Sequence, residues 1–199
     1  MKRIRPLFFG NLLLAGIFVF AVLCVVQSAS AQEPPKVDVS AGYSYMYGNV
    51  VVSGQGINLN GASGSVAYNY NRWLGFVFDL GTYYNGNVAS TGQTLNVTTY
   101  LFGPRFSWRK NEKLTPFGQV LLGGGYAGGT LYAGGNSPLG AQNSFAMTAG
   151  GGLDWKVQPV ISIRVFQAEY LRTQFNNGVN FNQNNFRFSA GVVFHFGKR

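Results

Sequence analysis

The chain has 199 residues and a net charge of +9, yet only 11% of it is charged while 46% is hydrophobic and 16% aromatic. That length suits one domain, and sparse charge beside abundant Tyr, Phe, Gly and Asn suits a wall wet on one side and apolar on the other. The one thiol, Cys24, excludes a disulfide framework and a cysteine-based metal site. The basic surplus forms no single run, so it reads as solvated rims and termini rather than a nucleic-acid face.

The first segment is basic at Lys2, Arg3 and Arg5, almost purely apolar from Leu7 to Val26, and ends in Gln27-Ser28-Ala29-Ser30-Ala31. This order predicts a cleavable secretory signal peptide over 1–31, cut after the pair Ala29 and Ala31, with 32–199 as the mature domain. Uncleaved, the same run would be a membrane anchor, since about 20 apolar residues span a bilayer as a helix. Cys24 follows Leu23 rather than a small residue, so no lipid attachment is expected, and cleavage removes the thiol. No later run resembles a transmembrane helix, and mean hydropathy is +0.06, which excludes an α-helical membrane protein once the leader is gone.

From Val37 onward the chain alternates, and successive strand side chains point to opposite faces. Val37, Val39, Ala41, Tyr43, Tyr45 and Tyr47 oppose Asp38, Ser40, Gly42, Ser44 and Met46. Val66, Tyr68 and Tyr70 then oppose Ser63, Ser65, Ala67 and Asn69, and Leu74, Phe76, Phe78 and Leu80 oppose Gly75, Val77, Asp79 and Gly81. A fourth segment sets Tyr100, Phe102, Pro104 and Phe106 against Leu101, Gly103, Arg105 and Ser107, with Pro104 demanding local repair of the ladder. Segments over 115–126, 145–155, 160–171 and 186–196 continue the period and place Asp154, Arg164, Arg187 and His195 on the polar face. The sum is an eight-stranded antiparallel up-and-down barrel.

Connections alternate between short links (Asn71 to Trp73, Arg109 to Leu114, Lys156 to Pro159) and long ones (Asn49 to Asn60, Asn85 to Asn96, Ala127 to Asn143, Thr173 to Asn184). Outer-membrane barrels pair short periplasmic turns with long external loops, which puts both termini in the periplasm. Arg109, Lys110 and Lys113 then form a solvated periplasmic rim. A soluble β-sandwich or lipocalin-like barrel would bury the apolar row instead. Asp38, Asp79, Arg105, Asp154, Arg164 and Arg187 each sit between apolar or aromatic neighbours. Arg facing lipid near the midplane costs about 2–4 kcal/mol, so these six are expected in the lumen. Tyr43, Tyr45, Tyr68, Trp73, Tyr83, Trp108 and Trp155, near strand ends, suit the membrane interface.

The last strand, Ser189-Ala190-Gly191-Val192-Val193-Phe194-His195-Phe196, resembles the polar-x-Gly-x-x-aromatic-x-aromatic signal of barrels inserted by the bacterial barrel-assembly machinery, carried here by Ser189, Gly191, Phe194 and Phe196. With Tyr100-Leu101-Phe102-Gly103-Pro104-Arg105-Phe106 and Gly150-Gly151-Gly152-Leu153-Asp154-Trp155, the mature chain resembles the small OmpA/OmpX-like outer-membrane β-barrel family. Two departures stand out: Gly197, Lys198 and Arg199 follow the terminal aromatic, and no soluble peptidoglycan-binding domain follows the barrel, so no tether to the wall is expected. The resemblance implies an outer-membrane, porin-like cell-envelope protein in contact with membrane lipid and lipopolysaccharide.

A lumen of about eight strands is just filled by side chains, so its charges should pair. Asp154 with Arg164 and Asp79 with Arg105 lie symmetrically about their hairpin links and are expected as two salt bridges. Such pairs favour a plugged lumen over a narrow channel for small solutes. Glu169 breaks the parity set by Arg164, implying either a bulge or a position above the membrane. A lipid-modifying enzyme would need a nucleophile with an oriented base, but His195, at the periplasmic end, is better read as structural, and no catalytic, metal or cofactor site is expected. The long loops hold no Asp, Glu or Lys and are rich in Asn, Gly, Ser, Gln and Thr. They fit either a glycan or protein ligand or a simple shield over the barrel mouth.

Overall fold

The computed structural model describes residues 34–50, 56–90, 92–129, 141–177 and 181–197, so the segment 1–31 expected to be a signal peptide, with Ala29 and Ala31, lies outside the described residues, as do the last two. Eight strands follow in chain order: β1 (Val37–Gly48), β2 (Ile57–Asn69), β3 (Leu74–Asn85), β4 (Leu95–Ser107), β5 (Leu114–Gly129), β6 (Gln142–Gln158), β7 (Ile161–Thr173) and β8 (Gln183–Phe196). Each pairs antiparallel with its chain neighbour, and β1 closes on β8 from Val37↔Phe196 to Gly48↔Asn185. Closure leaves no unpaired edge for lipid to face.

The strands run longer than expected at the loop end, the end opposite the termini. β2 begins at Ile57, inside the span read as a loop, and β5 and β6 reach 16 and 17 residues, whereas about 9–11 cross a membrane. Asn-rich sequence suggested loops there, but the dyad period persists: Ile57, Leu59, Leu95 and Val97 are buried while Asn58, Asn60 and Asn96 are exposed. On the outside of this rim, Tyr43 and Tyr45 donate to Asn60 and Asn58 at 2.5 and 2.6 Å.

The alternation sorts the wall as its composition demands. Phe76, Phe78, Leu80, Phe102, Phe106, Leu122, Phe188 and Val192 are exposed on the outer face, while all six strand charges named above are buried. Exposed apolar surface on this scale belongs against acyl chains. Trp73 stacks on Phe106 at 5.9 Å towards the terminal end. Tyr83 departs from the interfacial reading: it shares the parity of Asp79, so it points inward and is fully buried, and Tyr84 faces out in its place.

Two irregularities matter to the interior. Pro104 cannot donate to a ladder, and the β4–β5 pairing lapses between Phe102↔Leu122 and Arg105↔Gln119 with unchanged register on either side. In β7 the pairing with β8 jumps from Arg164↔Gly191 to Gln167↔Ser189. This bulge leaves Val165 and Phe166 both exposed and turns Gln167 and Glu169 inward. It settles Glu169 as a lumen residue.

The interior is layered rather than uniformly polar. Met46, Leu59, Leu95, Val97, Leu171 and Phe175 belong to an apolar cluster filling the loop end, polar side chains fill the middle, and a cavity of about 610 Å³ opens at the terminal end. The polar lumen expected from strand charges thus stops below an apolar cap, built in part from Ile57, Leu59, Leu95 and Val97, inward positions of the unforeseen strand extensions.

Candidate functional site

The middle layer is one hydrogen-bonded network with Glu169 at its hub. Its carboxylate accepts Arg187 Nε at 2.6 Å, Gln119 Nε2 at 2.8 Å and Gln167 Nε2 at 2.8 Å, and Arg187 Nη2 also contacts it. Arg187 reaches across the lumen from β8 to β3, donating through Nη1 to Asp79 Oδ1 at 2.7 Å and Tyr83 Oη at 3.2 Å. Arg164 grips Asp154 in a fork, with Nε and Nη2 at 2.8 and 3.1 Å, and donates through Nη1 to Gln167 Oε1 at 2.9 Å. Arg105 joins through Nε to Gln119 Oε1 at 2.9 Å.

The network therefore balances three guanidiniums, Arg105, Arg164 and Arg187, against three carboxylates, Asp79, Asp154 and Glu169. Buried charges in low dielectric persist only when paired and hydrogen-bonded, and the fork geometry of Arg suits such pairing.

Asp154 and Arg164 are register partners on adjacent strands. Asp79 and Arg105 are not: β3 and β4 pair Asp79 with Leu101 and Arg105 with Gly75, roughly four residues or 13 Å apart along the strand. The expected Asp79–Arg105 bridge is thus replaced by Asp79–Arg187 across the lumen. Arg105 instead lies 4.5 Å above the Phe117 ring, which also carries Arg164 at 4.6 Å. Gln167 and Phe117 were not singled out from sequence and Tyr83 was assigned to the interface, although the inward parity of Phe117 and Tyr83 was available there.

A second cluster sits at the terminal end. Asp38 Oδ1 meets His195 Nδ1 at 2.7 Å, and His195 Nε2 meets Ser162 Oγ at 2.6 Å. Asp38 Oδ2 accepts Asn69 Nδ2 at 2.8 Å and Arg109 Nη2 at 3.2 Å. Arg109 was expected on a solvated rim; its side chain folds back over the mouth because Asp38 and Asn69 offer acceptors there. Burial pulls its guanidinium below the ordinary value, against the opposing charge of Asp38.

Ser162, His195 and Asp38 fall in the order of a nucleophile, base and orienter. Acyl transfer also needs donors aimed at an oxyanion, but the backbone flanking Ser162 is taken up in the ladders to β6 and β8. The cluster reads as a structural tie among β1, β7 and β8. Among the described residues, no group of three or more His, Cys, Asp or Glu could hold a metal ion.

In β8, Ser189 and Gly191 face the lumen and Phe194 and Phe196 face out. Ser189 hydrogen-bonds Ser44 at 2.6 Å across the closing seam. Gly191 pairs with Gly42, and a Cβ on it would stand 2.3 Å from the Ala41 carbonyl oxygen, so the seam admits no side chain there.

This architecture is shared with known proteins. The chain aligns over 81% of its length, and over 97% of the other chain, with Neisserial surface protein A at TM-score 0.64 and 19% identity. It aligns over 82%, and 99% of the other, with Ail, the attachment invasion locus protein of Yersinia pestis, at 0.57 and 19%. With the N-terminal β-barrel domain of Pseudomonas aeruginosa OprF the values are 83%, 100%, 0.53 and 16%. No curated protein matches the chain. Residues 16–196 match the model of the outer membrane protein beta-barrel domain, and the chain belongs to that family of the bacterial outer membrane.

Proposed function

We propose that the protein is a structural and surface-interaction barrel whose lumen is plugged, rather than a channel or an enzyme. The observation that carries this reading is the continuous network from Asp79 through Arg187, Glu169 and Gln119 to Arg105, roofed by the apolar cluster around Leu59, Leu95 and Phe175. Space beside Asp79, Arg164 and Gln167 is only about 10 Å³, room for at most one water.

With the lumen closed, the external loops are a surface available for recognition outside the cell. The spans 49–60, 85–96, 127–143 and 173–184 contain no charged residue, which suits a neutral hydrogen-bonding ligand such as a glycan or a protein. A barrel of this fold, Ail, has been solved with the heparin analogue sucrose octasulfate. The uncharged loops here disfavour a polyanion. Insertion by the barrel-assembly machinery through the β8 signal and packing among lipopolysaccharide complete the proposed partners.

Replacing residues 127–143 by a short turn and measuring adhesion of expressing cells tests the binding role; adhesion equal to that of the intact barrel refutes it. The terminal cavity, which reaches Arg105, favours a second reading, a narrow gated channel. Under that reading Arg105→Ala raises conductance, and near-zero current in both forms removes it.

A further inference from the structure

Arg105 is the odd member of the network. Arg187 and Arg164 each grip a carboxylate directly, whereas Arg105 has only the amide oxygen of Gln119 and the face of Phe117. Its Nη2 is buried with no hydrogen-bond partner, and only Nε has an acceptor among the described residues. A guanidinium has five N–H donors, so most of this one's donor capacity is unused although the residue is 97% buried. Leaving a buried cation in that condition is costly unless something supplies charge and acceptors.

Arg105 also lines the inner end of the 610 Å³ cavity, a volume in the range of small-molecule sites, about 300–1,000 Å³. The cavity's cations, Arg105, Arg109, Lys110 and Lys156, outnumber its carboxylates, Asp38, Asp154 and Glu112. Two of those carboxylates are already engaged, Asp154 by Arg164 and Asp38 by Arg109 and His195. The lining thus carries one more cation than carboxylates, and low-dielectric walls focus that field.

We propose that this periplasmic cavity is a binding site for a small oxyanion, a carboxylate or a phosphate group, seated on Nη1 of Arg105, the terminal nitrogen that is not enclosed. The anion supplies an acceptor to a guanidinium whose own hydrogen bonds end at Gln119, and a charge-assisted bond of this kind suits both classes. Lys110, on the link between β4 and β5, lines the cavity with its ammonium 4.7 Å over the Trp108 ring and adds only to the long-range field. This site is independent of the external loops and holds whether or not those loops bind a ligand.

Titration of the refolded mature chain in a non-ionic detergent with sodium phosphate, and separately with sodium acetate, tests it by nuclear magnetic resonance at constant ionic strength. The Arg105 Nε–H resonance and the amides of Ser107 and Ser162 are expected to shift saturably. Saturation by phosphate alone assigns a phosphate ligand, and saturation by acetate as well assigns the shared oxyanion chemistry; both support the site. Arg105→Gln is expected to weaken binding by about tenfold or more, with heat-modifiable gel migration reporting a folded barrel. Absence of saturable shifts in the unsubstituted protein, or affinity unchanged in Arg105→Gln, overturns the proposal. Should that variant not refold, a stationary Arg105 Nε–H resonance in the unsubstituted protein is sufficient to overturn it.

Discussion

Replacing Glu169 by Gln is the sharpest test of the lumen network, because every contact to its carboxylate is a donor. Gln119, Gln167 and Arg187 all give N–H groups to it. Glutamine preserves the shape but removes the charge and turns one acceptor into an NH₂ group facing donors. Gln119 cannot rotate its amide to compensate without losing its bond from Arg105, since its oxygen already accepts Arg105 Nε. Three buried guanidiniums are then left with two carboxylates. Breaking a buried pair by removing one partner costs about 3–5 kcal/mol, and the side chains of Glu169 and Arg187 are both fully buried, so that range applies undiscounted. Guanidinium-induced unfolding of the refolded barrel in detergent, followed by Trp fluorescence, measures the loss. Glu112→Gln on the exposed β4–β5 link is the control, expected within about 0.5 kcal/mol of the parent. An E169Q barrel as stable as that control would show that Glu169 is solvated and that the network does not hold the interior together.

Three further outcomes follow from the same geometry. Phe117→Leu removes the ring under both Arg105 and Arg164 and should lower stability by about 2 kcal/mol or more, read from the same unfolding curves. Gly191→Val drives a side chain into the Ala41 carbonyl at the β1–β8 seam; overpacking costs about 1–3 kcal/mol, so the heat-modifiable folded band should weaken or vanish, and an undiminished band contradicts the seam. Phe78→Arg on the exposed face of β3 should destabilise the barrel in lipid by about 2–4 kcal/mol, and no effect on refolding into vesicles would deny that this face meets acyl chains.

Parity alone made much of this structure legible. In β3 and β8 the sequence alternates strictly, and Asp79 and Arg187 are buried while Phe76, Phe78, Phe186 and Phe188 are exposed. A bulge in β7 was one of the two readings that Glu169 left open, and the sequence did not decide between them because Val165 and Phe166 are both apolar and either could have held the outward position. The Asp79–Arg187 pair was not legible because local symmetry about a hairpin finds neighbours on adjacent strands, whereas this contact crosses the lumen between residues 108 positions apart. The apolar cap was missed for a compositional reason: Asn58, Asn60 and Asn96 mask the inward Ile57, Leu59, Leu95 and Val97. Tyr83 was misplaced by weighing its nearness to a strand end above its parity with Asp79.

Single-channel recording of the refolded protein across a planar bilayer tests the closed lumen most directly. The account predicts a baseline indistinguishable from the bare membrane, because paired charges fill the middle layer and apolar side chains roof it. Discrete, reproducible current steps from the unsubstituted barrel would contradict it.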